Sequence, residues 1–170
     1  MKKIIVLSLT CLFSVLAVQA QRYAIVDTRY ILDKLPEYKE AQEALNKTSE
    51  IWQAEIDAKQ QALNKLYKDY EAEKVMLSPE LLKKREDEIF NREKEVRELQ
   101  RQRFGFEGDL FKKRQELVKP IQDKVYAAIQ KIAVARMYDF ILDRSEGITV
   151  IFADPKLDKS EDVLRELGVK

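Results

Sequence analysis

The side chains that most often carry chemistry are scarce in this chain. It has no His and a single Cys among 170 residues, so His-dependent triads and imidazole metal sites have no material. Carboxylates are abundant, with 30 Asp+Glu, but they alternate with 31 Lys+Arg. Lys83-Lys84-Arg85-Glu86-Asp87-Glu88 is the clearest such run. On a helix these neighbours make i,i+4 ion pairs on a solvated face, a stronger reading than a catalytic acid/base pair. Asp27, Asp143 and Asp154 stand beside short apolar runs, where turn and capping roles outweigh catalysis. No glycine-rich phosphate loop, Gly-x-Ser-x-Gly, zinc spacing or Asp-rich calcium loop occurs. An enzyme is therefore not expected, nor a cofactor, nor a bound metal. The near-balance of charge, net +1, also argues against a nucleic-acid partner, which needs a basic excess on one face.

With chemistry set aside, the elements carry the argument. Charged residues make up 36% of the chain, with only four Gly and four Pro, a composition that points to long helices with solvated faces. The first twenty residues read differently. Lys2 and Lys3 precede an apolar run from Ile4 to Ala17, and Val18-Gln19-Ala20 offers small residues for cleavage. Residues 1–20 are expected to be a secretory signal peptide, with Gln21 the mature N-terminus. The run is shorter than the ~20 residues that span a bilayer, which disfavours a retained anchor. Ser8-Leu9-Thr10 before Cys11 is a poor lipobox, so Cys11 reads as a small hydrophobe in the discarded segment. Cleavage removes two Lys and the only Cys, leaving a thiol-free chain of formal charge +1 − 2 = −1. Such a chain has nothing to mispair in an oxidising compartment.

The prolines divide what remains. Pro36, Pro79 and Pro120 bound two proline-free stretches of nearly equal length, 37–78 and 80–119. Both are expected to be helical. Ala41, Leu45, Trp52, Ile56, Leu63, Leu66 and Tyr70 mark one face of the first. Leu82, Ile89, Val96, Leu99, Phe106, Leu110, Leu117 and Ile121 mark one face of the second. Their steps are mostly 3, 4 or 7, as a coiled-coil seam requires. Ser78 suits an N-cap and Pro79 a first helical position, so the arms should meet at Leu77-Ser78-Pro79 as an antiparallel hairpin about 60 Å long. Reflection about Ser78 sets Leu66 near Phe90, Leu45 near Phe111, and Trp52 near Phe104 and Gly105. The Trp52 indole is expected on backbone left bare by Gly105. Gly105 and Gly108 each cost about 1 kcal/mol in a helix relative to Ala, so they either make room for aromatics or form a flex point. Pro120 should mark a kink or joint in a helical pattern that continues to residue 137.

Strand-type runs flank the hairpin. They are Tyr23–Asp27, Asp139–Asp143 and Thr149–Ala153, the last two joined by Arg144-Ser145-Glu146-Gly147 as an expected β-hairpin. A last helix should run from about Ser160 to Leu167, ended by Gly168. The fold class is thus α+β, a long antiparallel helical coiled-coil hairpin, 37–119, inserted in a small strand body made of 21–36 and 120–170. Three short strands with open edges are marginal alone. Ile25, Phe140, Leu142, Val150 and Phe152 exceed what one short helix can cover, so the body is expected to oligomerise and close its edges.

The segments Ala24-Ile25-Val26-Asp27, Leu35-Pro36-Glu37-Tyr38, Lys113 to Ile121, Tyr138 to Asp143, Ala153-Asp154-Pro155 and Asp158 to Leu164 together resemble the Skp/OmpH family of periplasmic chaperones, in the form common in Bacteroidetes. The resemblance covers nearly all of the mature chain and rests on order and spacing. It implies a homotrimer whose subunits share a central barrel of strands, with three helical hairpins hanging from it as tentacles. It also implies unfolded outer-membrane β-barrel proteins as partners, held without ATP in the periplasm. Strands at 23–27, 138–143 and 149–153 match the trimerising body, and the arms 37–78 and 79–119 match the tentacles. Basic tentacle tips in some relatives imply contact of Lys83, Lys84 and Arg85 with anionic lipid or lipopolysaccharide. Residues 65–95 here hold eight Lys+Arg against nine Asp+Glu, which speaks against strong membrane-surface attraction. The alternative is a structural or adaptor coiled-coil protein of the cell envelope. Envelope pump adaptors carry further β-rich domains around such a hairpin, for which this chain has no room.

Overall fold

The computed structural model describes residues 21–147 and 150–169. The expected leader, 1–20, lies outside the described residues, as do Ile148, Lys170 and Thr149, the first residue of the third expected strand. In chain order the elements are β1 Tyr23–Val26, α1 Thr28–Lys34, α2 Pro36–Glu73, α3 Pro79–Phe104, α4 Asp109–Ala135, β2 Phe140–Asp143, a 3-10 turn Pro155–Leu157, and α5 Ser160–Glu166. They fall into two compact units, one made of the chain up to Ile31 with Val125–Lys170, the other of Leu32–Lys124.

In the first unit both chain ends meet in one sheet. β1 pairs with β2 in parallel, with Tyr23 opposite Phe140 and Val26 opposite Asp143. Parallel neighbours need a crossover connection, and here the whole helical hairpin serves as that connection. On its other side β1 makes a single bridge from Ile25 to Asp158, and Lys159 N donates to Ile25 O at 2.8 Å. β1 is therefore central, and β2 is an edge strand among the described residues. Ala24, Ile25, Val26, Ile31, Val125, Ala128, Ile132, Val163 and Leu164 are the buried apolar side chains of this unit.

Polar side chains fix the strand ends. Asp27 caps α1, accepting from Tyr30 N at 2.9 Å. Its own N–H donates to the buried Ser160 Oγ at 2.9 Å, which ties β1 to the start of α5. Asp143 accepts from Thr28 Oγ1 at 2.5 Å, from Thr28 N at 3.2 Å and from Ser145 N at 2.9 Å. Partial burial alone would push its carboxyl up. The hydrogen bonds from Thr28 and Ser145 outweigh burial and hold it below the usual aspartate range. Arg144 spans Asp27 at 3.3 Å and Asp158 at 3.0 Å.

One expectation for this unit is corrected, and one element is added. No strand or β-hairpin forms at 150–153, and Ile151 and Phe152 are 95% and 85% exposed. β2 pairs in parallel with β1 instead, and its other edge stays unpaired among the described residues. α1 is a helix that strand and coiled-coil patterning did not single out. At seven residues it is too short for a periodic signal, and its mark is the capping Asp27 ahead of Ile31 and Leu32.

The second unit contains the hairpin. α2 begins on Pro36 and runs 38 residues, about 57 Å at 1.5 Å per residue. Ser78 caps α3, its Oγ accepting from Leu81 N at 3.4 Å, and Pro79 takes the first helical position. Ile56, Leu63, Ile89 and Val96 are buried as one cluster, with Leu66, Tyr70, Leu99 and Phe104 half-buried against it. That is an antiparallel seam between α2 and α3.

The returning arm is not one helix. It breaks at Gly105-Phe106-Glu107-Gly108, and the helix that follows, α4, passes straight through Pro120. The break thus lies at the glycines rather than at the proline. Pro120 loses only its own amide bond, and the buried Val118 and Ile121 hold the helix on either side of it. At the glycines the chain leaves the helix outright. Gly105 is extended, at φ −69° and ψ 173°, and Glu107 has φ +56°.

Candidate functional site: the two faces of the helical arm

The arm has a seam side, which holds it together, and an outer side, which is available to a partner. On the seam, Ile89 of the expected apolar face is buried, whereas Phe90, expected near Leu66, is 60% exposed. A shift of one residue turns a helical side chain by about 100°, enough to leave the interface. Phe111, expected beside the buried Leu45, is also exposed. Leu66 is half-buried against the seam cluster.

Trp52 and Phe104 meet edge to face, with ring centroids 6.5 Å apart and planes at 81°. Glycine is required at 105 for a reason other than the expected one. A Cβ there would lie 2.3 Å from Arg101 O, so its close neighbour is the last turn of its own helix, not the Trp52 ring. Arg103 lies over the same Trp52 ring, its guanidinium carbon 4.8 Å from the centroid.

Two tyrosines that patterning counted as seam or left aside staple the arms. Tyr70 OH donates to Glu86 at 2.7 Å, and Tyr67 OH donates to Glu93, each from α2 to α3. The carboxylate acceptors raise both phenols above the ordinary tyrosine value. Their signal in the sequence was a Tyr on one arm set opposite a Glu on the other, legible only once the register is known. Arg85 is likewise held by carboxylates, with Glu88 at 3.2 Å and Glu73 at 3.9 Å. Lys83 and Lys84 are exposed.

The outer side is charged but not purely so. Val75, Met76 and Leu81 at the tip, Ile51 on α2, Phe90 on α3, Phe106 in the break and Phe111 on α4 are all exposed. Val75 and Met76 are neighbours at the tip, and Ile51, Phe90 and Phe111 stand apart from one another along the arm. A shallow groove of about 300 Å³ runs between α2 and α3, lined by Lys59, Leu63, Leu66, Glu88, Arg92 and Val96. No group of three or more carboxylates that could hold a metal ion occurs among the described residues. No described helix is long and apolar enough to cross a membrane.

The family model for outer membrane protein (OmpH-like) matches residues 22–167. The chain belongs to the OmpH-like family. A comparison with curated proteins finds no match. Among solved structures, the OmpH-like chain is similar to a candidate outer membrane chaperone (OmpH-like) from Caulobacter crescentus CB15. The TM-score is 0.69 at 17% identity, over 88% of this chain and 85% of that one. At that identity the likeness concerns the fold, and it covers a mostly helical chain with a long hairpin and a small two-stranded sheet.

Ile25, Phe140, Leu142, Val150 and Phe152 were expected together in the strand body. Ile25 is buried in β1 opposite Leu142 of β2, and Phe140 stacks on Tyr23 at 5.7 Å while remaining exposed. Phe152 and the half-buried Val150 lie in the irregular segment after β2, so this chain alone does not bring all five into one sheet.

Proposed function

We propose that this OmpH-like protein is an ATP-independent periplasmic holdase chaperone. It binds unfolded outer-membrane β-barrel proteins and keeps them soluble for assembly into the outer membrane. The observation that carries the reading is the outer side of the arm. Isolated exposed apolar side chains, from Ile51 through Phe90 to Phe111, stand on a surface of near-zero net charge. Such a surface offers an aggregation-prone strand many weak apolar contacts, none strong enough to trap it. The open edge of β2 and the exposed Ile151 and Phe152 favour self-association of the strand bodies, in keeping with a homotrimer. Export to the periplasm rests on the signal-type segment 1–20 of the sequence.

The test is light scattering by a urea-denatured porin diluted into buffer without nucleotide. Added protein in molar excess is expected to suppress the scattering, and ATP is expected to change nothing. Undiminished aggregation at molar excess would sink the proposal. A pull-down that recovers one fixed envelope transporter, in place of many unfolded porins, would favour an adaptor.

A further inference from the structure

The arm has a waist. No apolar side chain is buried between Leu45 and Ile56 on α2, nor between Val96 and Val118 on the returning arm. The seam cluster of Ile56, Leu63, Ile89 and Val96 lies beyond the waist toward the tip. Ala41, Leu45, Val118 and Ile121 are buried on the other side of it. The returning helix breaks at this same level. Glu107 sits in left-handed backbone at φ +56°, a conformation that non-glycine residues hold only when their surroundings enforce it. A Cβ at Gly108 would come within 2.7 Å of Gln102 O, so the turn is too tight for a larger residue. On α2, Thr48 Oγ1 donates to Ala44 O at 2.8 Å, a bond back to its own helix that favours bending.

One side chain ties the waist together. Arg103, in the last turn of α3, donates across the break to Asp109 in the first turn of α4 at 2.7 Å. It also reaches over to Glu55 on α2 at 3.3 Å and lies on the Trp52 ring. Its Nε is buried with no acceptor, a desolvation cost that these contacts must offset. Beyond the half-buried Trp52–Phe104 pair, which joins α2 to α3 only, no apolar core holds this level, so the bond from the Arg103 guanidinium to Asp109 is the side-chain tie between α3 and α4.

We propose that residues 105–108 are a hinge of the arm and that Arg103 is its latch. With the latch closed, the segment nearer the tip and the segment nearer the arm base stay in line. With it open, they pivot about the break while the seam cluster stays intact, as in other hinges that a few loop residues absorb. The inference goes beyond the chaperone reading and does not need it, since it concerns the geometry of the arm alone.

The test is pulsed electron–electron spin-label distance measurement on the full chain. Gln100→Cys with Gln115→Cys reports across the break. Gln61→Cys with Asn91→Cys reports within the seam module. Arg103→Ala opens the latch, and Asp109→Asn weakens only the cross-break bond by removing its carboxylate charge. Both are expected to broaden the cross-break distribution, Arg103→Ala more than Asp109→Asn, with the seam distribution unchanged and the helical circular dichroism kept. Any of three results overturns the proposal. The cross-break distribution stays narrow in Arg103→Ala, or the seam distribution broadens with it, or Asp109→Asn has no effect. The second and third would make Arg103 an ordinary arm-packing residue.

Discussion

Asp143 shows how much a single polar residue does in the strand unit. It accepts from both the backbone and the hydroxyl of Thr28, and so joins the end of β2 to the start of α1. Its carboxyl is held low, which means the folded state prefers it ionised. The stability this contributes is present in full above the ordinary aspartate pKa and is lost as pH falls through the lowered folded value. Urea unfolding midpoints should therefore drop on acidification below about pH 4, and Asp143→Ala should remove part of that drop while lowering the midpoint at neutral pH. Denaturation at a series of pH values with both proteins measures it. Gly105 makes the opposite point, because its role is to lack an atom. Gly105→Ala is expected to destabilise, since its Cβ meets Arg101 O and the helix end must shift. A melting temperature unchanged from the parent would contradict that geometry.

Among the elements, the hairpin is held by a narrow seam, and the seam is selective. Ile89 is buried and Phe90, its neighbour, is not. Ile89→Ala is expected to cost about 2–3 kcal/mol, and Phe90→Ala about 0.5 kcal/mol or less, read from chemical denaturation. Equal costs would mean a different register of α3 on α2. The helical length of the arm and its tip were legible in advance, because Ser78 and Pro79 are strong start signals and the apolar steps are regular. The break at 105–108 was not. Two glycines in a charged helix are compatible with either a continuous or a broken helix. The structure shows the broken form, with Arg103 in contact with Asp109, Glu55 and Trp52 beside it.

For the whole molecule, the open question is assembly. A sheet of two strands with β2 at its edge and exposed Phe140, Ile151 and Phe152 is expected to associate. Light scattering coupled to size exclusion should give about three times the chain mass, and Phe152→Asp should shift it toward a single chain. A monomer in the parent protein would end the trimer proposal. The tip is a different case. Lys83 and Lys84 are exposed, but Arg85 is occupied by Glu73 and Glu88 and the surrounding charge is balanced. Lys83→Glu with Lys84→Glu is expected to leave sedimentation with anionic vesicles unchanged. A loss of vesicle binding would restore a lipid role to the tip.

What the sequence determined by itself is what local physics can decide. Missing His and scarce Cys narrowed the chemistry, paired charge and few breakers implied long helices, and Ser78-Pro79 placed the turn between them. The same holds for the α+β class and the OmpH-like likeness, which depend on the order of elements. Tertiary structure decided what depends on partners distant in the chain. It paired β1 with β2 in parallel across 117 residues, as the bond from Arg22 N to Asp139 Oδ2 illustrates at 2.7 Å. It left 150–153 outside the sheet, with the outer edge of β2 unpaired. It also moved the break from Pro120 to Gly105–Gly108. A proline removes one hydrogen bond, which flanking buried residues tolerate. The glycine turn lies beside an arginine whose acceptors are on other elements, and no local pattern records those contacts.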